Sequence, residues 1–203
     1  MSRAGLVLSL LVPLAVRAAE PEAACPPGTA LREHAQEFAC ATPDGVGEGP
    51  FWALRDDGTV QYRGAARGGR THGTWTSWHA NGVRSKQAEY RDGVLVGDFR
   101  QWDEQGRRLY AGRHDARGEM DGTWTRWWPN GRKRTEWEMR HGSPHGAVAA
   151  WWESGARKLR GRREAGRREG RWTWWDEAGS VAAQCRYESG AVVDGRCGAE
   201  APD

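Results

Sequence analysis

The sequence predicts an all-β fold: an open array of about six stacked antiparallel β-hairpins in a single sheet, with disulfide-pinned ends. Three observations carry it. Glycine recurs on three registers about 24 residues apart, aromatic residues stand at fixed offsets from those glycines, and aliphatic residues are too few for an ordinary core. Leu, Val and Phe total 25 of 203 residues, Ile is absent, and eight of the 25 fall in the first sixteen positions. Such poverty with high net charge would indicate disorder, but the formal charge is only +3 and the chain holds 13 Trp and 28 Gly. Tryptophan suits a thin, aromatic-filled β structure better than an unfolded tail. This composition excludes a large doubly wound enzyme, a membrane-spanning protein beyond the N-terminus and a coiled coil.

Residues 1–19 read as a signal peptide. Arg3 supplies the positive start, Leu6 to Val16 form an apolar run too short to span a bilayer, and Val16-Arg17-Ala18-Ala19 is a small-residue exit. Cleavage is expected after Ala18 or Ala19, which places the chain in the periplasm or outside the cell. Residues 20–48 follow as an N-terminal cap containing Cys25 and Cys40.

The repeats occupy residues 49–190, with starts at 49, 73, 97, 122, 146 and 170. The first glycine of each unit is Gly49, Gly73, Gly97, Gly122, Gly146 or Gly170. Nine residues on stand Gly58, Gly82, Gly106, Gly131, Gly155 and Gly179. Eleven further, or twelve in the third unit, stand Gly69, Gly93, Gly118, Gly142, Gly166 and Gly190. Two positions after the first glycine come Phe51, Trp75, Phe99, Trp124, Val148 and Trp172; five after it come Leu54, Trp78, Trp102, Trp127, Trp151 and Trp175.

Each unit reads as one hairpin. A Trp- and Thr-rich segment such as Gly73 to His79 suits a pleated strand. Asn81-Gly82, Asn130-Gly131 and Asp57-Gly58 accept positive φ in a tight hairpin turn. A polar return strand such as Val83 to Tyr90 leads to the third glycine, which turns the chain into the next unit. The extra residue of the third unit, between Gly106 and Gly118, calls for a bulge near Gly112, because an uncompensated shift would turn every later side chain over. Offsets two and five differ in parity, so strict alternation puts aromatics on both faces. Either the sheet is one layer thick or every unit carries a bulge.

Gly73-Thr74-Trp75-Thr76-Ser77-Trp78-His79-Ala80-Asn81-Gly82 and the matching Gly122-Thr123-Trp124-Thr125-Arg126-Trp127-Trp128-Pro129-Asn130-Gly131 carry a resemblance. The pattern resembles the variant MORN repeats of bacteria, including YwqK-type antitoxins, whose unit reads roughly G-x-W-x-x-[WY]-x-x-[ND]-G. It covers about residues 49 to 190. The resemblance implies a β-hairpin array that binds partners, usually proteins and in some relatives lipids, and it brings no catalytic residues. An exported copy departs from the cytosolic antitoxin role.

The C-terminal residues 191–203 form a disulfide hairpin and tail. An even cysteine count in an exported chain reads as disulfides. Three pairings of Cys25, Cys40, Cys185 and Cys197 are open, and spacing favours Cys25–Cys40 with Cys185–Cys197. No CxxC pair occurs and the six histidines show no ligand spacing with the cysteines, so no metal or other cofactor is expected. Trp128 and Trp152 at offset six and Trp174 at offset four share parity with Trp124 and Trp172, which leaves two readings: extra packing in a thin core, or an aromatic partner-binding patch on one face. A basic cluster containing Arg162, Arg163, Arg167 and Arg168 adds an anionic preference. No hydrolase, metalloprotease or phosphate-loop motif occurs, and no enzyme is expected. The reading is therefore a non-catalytic scaffold for a protein partner. A module for envelope glycan or anionic lipid is the alternative, nucleic acid is disfavoured, and the oligomeric state stays open.

Overall fold

The computed structural model describes residues 24–198. The signal-peptide expectation for residues 1–19 lies outside them, as do the last five residues of the tail. Fifteen strands are described: β1 (Ala30–His34), β2 (Glu37–Ala41), β3 (Gly47–Leu54), β4 (Val60–Arg67), β5 (Arg70–Trp78), β6 (Arg84–Arg91), β7 (Val94–Trp102), β8 (Arg108–His114), β9 (Met120–Trp127), β10 (Lys133–Arg140), β11 (Ser143–Trp151), β12 (Arg157–Glu164), β13 (Arg167–Trp175), β14 (Val181–Glu188) and β15 (Ala191–Arg196). They pair antiparallel, each with its chain neighbours, in one open sheet. At ~4.8 Å per strand the ribbon is about 67 Å long.

Six hairpins supply twelve of those strands, β3 to β14. The count rises to fifteen because both ends continue the meander. Hairpin β1–β2 joins the sheet before the first repeat, and β15 begins what would be a seventh unit.

All eighteen register glycines have positive φ. The glycine turns at one long edge of the ribbon take only one left-handed residue. Gly82 has φ +80°, and His79 N donates to Val83 O at 2.7 Å while Gly82 N donates to His79 O at 3.0 Å. That is a three-residue loop with a glycine bulge, so Asn81 keeps an ordinary φ and caps the turn through Oδ1 to Val83 N at 3.1 Å. Two-residue turns with both residues left-handed lie at the opposite edge, as at Asp92 (φ 51°) and Gly93 (φ 89°).

The extra residue of the third unit sits in a turn. Pairing from Gly97↔His114 through Phe99↔Gly112 is continuous, so no bulge forms near Gly112. Asp115 N instead donates to Glu119 O at 2.8 Å and Gly118 N to Asp115 O at 3.1 Å. A three-residue loop here replaces the two-residue turn used between the other repeats, and a loop absorbs a residue without rotating any side chain on the strands.

Each hairpin also carries a bulge at its glycine-turn end. Ser77 pairs Lys86 while Trp78 pairs Arg84, leaving residue 85 extra, and the same shift recurs in the other five units. A second shift recurs at the junctions between units, so every unit is bulged, and the sheet is one layer thick as well.

Packing within one layer depends on a further register, fifteen residues after each first glycine: Gly64, Ala88, Gly112, Trp137, Gly161 and Cys185. Each pairs directly with the offset-two residue of its own hairpin: Phe51, Trp75, Phe99, Trp124, Val148 and Trp172. Rings of the next unit lie flat on these small residues. A Cβ at Gly64, Gly112 or Gly161 would fall inside the indole of Trp75, Trp124 or Trp172 respectively. Trp75 Nε1 donates to Ala65 O at 3.0 Å and Trp172 Nε1 to Arg162 O at 3.1 Å, whereas Trp124 Nε1 has no partner among the described residues. The core is thus a column of rings on backbone, extended by Phe51–Trp75 and Phe99–Trp124 contacts at 5.5 and 6.0 Å.

The local pairing of the cysteines is the one present, with Cα separations of 5.4 Å for Cys25–Cys40 and 5.0 Å for Cys185–Cys197. Cys40 stands 24 residues before Gly64 and Cys185 stands 24 after Gly161, so both occupy the small-residue register. At the C-terminal end the Cys185–Cys197 disulfide covers the position where another repeat would lay a ring, and at the other end Cys25–Cys40 ties the leading segment to β2.

Two glycines separate the causes of glycine use. Gly161→Ala keeps an allowed φ but drives a methyl into Trp172, and the expected loss is about 3 kcal/mol. Gly131→Ala has open space around it but φ +82°, and about 1 kcal/mol is expected. Equal losses in denaturant unfolding would contradict the ring-on-glycine packing. Replacing Cys185 and Cys197 together by Ser should cost roughly 2–3 kcal/mol in the same measurement.

Candidate functional site

Large and small residues alternate along the column from Phe51 to Trp124, and then the phase slips. In the fourth hairpin both paired positions are large, Trp124 and Trp137, whereas in the fifth both are small, Val148 and Gly161. Trp137 also pairs Val148 across the junction. Rings resume only with Trp172, which contacts Tyr187 at 6.0 Å.

A cleft opens where rings are missing. It encloses about 390 Å³ between Tyr110 and Trp137 on one side and Trp172 on the other, floored by Val148, Ala150 and Leu159. Ala150 and Leu159 belong to a buried cluster with Trp172, Trp174, Cys185 and Tyr187. Met120, Met139 and Pro144 complete the apolar lining, and Arg126, Arg163 and Arg168 bring cations to it. Arg126 lies 5.7 Å from the Tyr110 ring centre, and Arg168 lies over Trp172 at 4.8 Å and donates to Tyr187 Oη at 2.7 Å.

Another hollow of about 1000 Å³ is lined by Arg140, Arg157, Arg160, Arg162 and Arg171 with Glu138, Glu164 and Glu169. The basic cluster of the sequence is therefore divided by strand alternation. Arg162 lines this hollow and Arg163 the cleft, while Arg167 stands exposed beside the turn at Gly190.

The aromatic patch expected on one face does not form. Trp124, Trp172 and Trp174 are 1%, 1% and 6% exposed; they are core, and only Trp172 reaches the cleft. Trp128 and Trp152 leave their strands at the bulge and enter the glycine turns. There Trp128 Nε1 donates to Trp151 O and Trp152 Nε1 to Trp175 O, each at 3.1 Å. His79 Nε2 makes the same bond to Trp102 O at 2.9 Å, and the Arg55 guanidinium donates to Trp78 O. These side chains tie four of the six turns to the turn that follows. The parity count failed because the strands end at Trp127 and Trp151, one residue before Trp128 and Trp152.

Cations fasten the same edge. Arg84, Arg108, Lys133 and Arg157 stand over the offset-five ring of the following unit (Trp102, Trp127, Trp151 and Trp175) at 5.1, 5.3, 5.7 and 5.9 Å. The bulge residues Arg134 and Lys158 cover Trp128 and Trp152 at 4.6 and 4.1 Å. Arginine abundance thus has a structural share. The turn glycines Gly58, Gly82, Gly106, Gly131, Gly155 and Gly179 all sit where expected, at the turns of this edge.

The cleft residues Tyr110, Trp137, Val148 and Leu159 were not singled out from sequence. Their signal was available in the fifteen-residue offset, where Trp137 interrupts a run of Gly, Ala and Cys.

Asp115, Glu119 and His141 bring ligand atoms within 4.8 Å of one another. Asp115 is already engaged there: Oδ2 accepts from His141 Nδ1 at 3.0 Å, and Oδ1 accepts from the backbone of Arg117 and Glu119. The His141 bond foremost holds the Asp115 carboxyl down to about 2. This group closes the three-residue loop of the third unit.

Two segments, residues 71–92 and 168–189, match the family described as MORN repeat variant. Each spans most of one hairpin and the turn after it, and between them they bracket the phase slip. No curated protein matches the chain.

His114 packs edge-on to Trp124 at 5.0 Å, and burial holds its pKa below the ordinary 6.5 despite Asp115 nearby. The unfolded chain therefore takes up this proton first on acidification, so stability falls as pH drops through the histidine range. His114→Tyr, which matches Tyr90 and Tyr187 at this register, should flatten the melting-temperature profile between about pH 7 and 5.

Proposed function

We propose that this MORN-repeat chain is an exported, non-catalytic scaffold that binds a protein partner through the cleft between its fourth and fifth hairpins. MORN repeats are binding modules, and a module needs a place where its regular packing is left incomplete. The phase slip at Trp137 and Val148 supplies one, and this observation carries the proposal. Apolar walls flanked by arginines suit the centre of a protein interface. Capture of one polypeptide is also the role that the antitoxin-like relatives suggest.

Two disulfides that use all four cysteines support an oxidising compartment. Among the described residues no helix is long and apolar enough to cross a membrane.

A second reading has its own observation. Arg140, Arg160, Arg162 and Arg171 line the larger hollow, and no ion pair engages them among the described residues. They favour an envelope glycan or an anionic lipid at that site.

Immobilised purified chain should capture one polypeptide from an envelope extract, and the purified pair should reconstitute a stoichiometric complex by calorimetry. Cross-links from that polypeptide should fall at Tyr110, Trp137 or Met139. Retention on phosphatidylglycerol vesicles or peptidoglycan, with no polypeptide captured, would establish the second reading instead. Turnover of a substrate would overturn both.

A further inference from the structure

We infer that the cleft receives one aromatic side chain from an extended acidic peptide segment of the partner, which fills the missing place in the ring column. The inference rests on the protein-binding reading above and specifies its ligand.

The ring spacing sets the shape. Offset-two rings recur on every second strand at Phe51, Trp75, Phe99 and Trp124, on β3, β5, β7 and β9. From Trp137 on β10 to Trp172 on β13 the interval is three strands, about 14 Å, with only Val148, Leu159 and Gly161 on the intervening pair. The volume of about 390 Å³ lies at the small end for ligand pockets. It fits one large side chain with the backbone on either side of it, and excludes a bulky cofactor.

The lining sets the chemistry. Tyr110, Trp137 and Trp172 offer ring edges and faces of the kind that meet one another elsewhere in the column, at 4.9 to 6.4 Å. Met120 and Met139 adapt to an incoming ring and make favourable sulfur–aromatic contacts. An aromatic group is therefore the matching occupant.

The charges set its neighbours. The Arg126 side chain has no ion pair among the described residues and stacks only on Tyr110. Arg163 makes a single bond, to Gly166 O at 3.3 Å. Both guanidiniums retain unused donors beside the cleft, and its one lining carboxylate, Glu136, is already paired with Lys133, which favours carboxylates flanking the aromatic residue.

Short fluorescent peptides test this directly: one tryptophan between aspartates in a Gly/Ser background, the same peptide with alanine for tryptophan, and the same with lysines for aspartates. The full chain should bind the first at least about tenfold more tightly than either control. Val148→Phe places at offset two the residue that units one and three carry there; it should abolish peptide binding while leaving the melting temperature equal or higher. Arg126→Glu changes an exposed side chain and should weaken the acidic peptide about tenfold while improving the lysine peptide.

Equal binding of the three peptides, or unchanged affinity in Val148→Phe and Arg126→Glu, would overturn the inference. Displacement of the peptide by phosphatidylglycerol vesicles would overturn it too, because the cleft would then be a lipid site. A captured polypeptide whose affinity is unaffected by both substitutions leaves the scaffold reading standing and removes this one. Failure of the wild-type chain to capture any polypeptide removes the scaffold reading itself.

Discussion

The structure depends on an indole lying flat against a backbone that has no side chain in the way. A single-layer sheet has no second layer to bury its apolar groups, so each ring must find its partner surface on the neighbouring strand. Gly64, Gly112 and Gly161 supply that surface, and Trp75, Trp124 and Trp172 cover it. Dispersion over the broad face of a ring, together with loss of water from both surfaces, replaces the aliphatic core that the composition denies. A chain without isoleucine can therefore build an ordered sheet.

Such an array has a weakness at its ends, because the outermost small residue lacks a covering ring. Cys185 occupies that position at the C-terminal end, and its disulfide brings Cys197 over it, doing locally what a further repeat would do; at the other end Cys25–Cys40 ties the leading segment to β2. Exposed Val192 and Val193 mark β15 as a true sheet edge, and the charged Arg32 and Glu33 blunt the other edge at β1.

Much of this was legible in advance. The second and third glycine registers located the turns within and between the six repeats, and the spacing of Cys185 and Cys197 suited their pairing. Two features escaped because they are defined across strands. A strand's alternation holds only as far as its pairing, so Trp128 and Trp152 looked coplanar with Trp124 while they belong to turns. Likewise, Trp124 and Trp172 were indistinguishable from exposed aromatics until the glycines eleven or twelve residues earlier were placed beneath them. The cleft was hidden for a related reason. It arises from a relation between two registers, large on large at Trp124 and Trp137 and small on small at Val148 and Gly161, and neither position looks unusual alone.

The placement of the odd residue in the third unit bears on how such a chain can grow. A unit of 24 residues is an even number, so copying it leaves each downstream side chain on its original side of the ribbon. A unit of 25 would invert them all, unless the surplus lies where the chain is neither facing up nor down. The loop from Asp115 to Gly118 is such a place. Length variation confined to reversals of direction is neutral for the two surfaces, which makes this loop the natural joint for inserting foreign sequence without disturbing either of them.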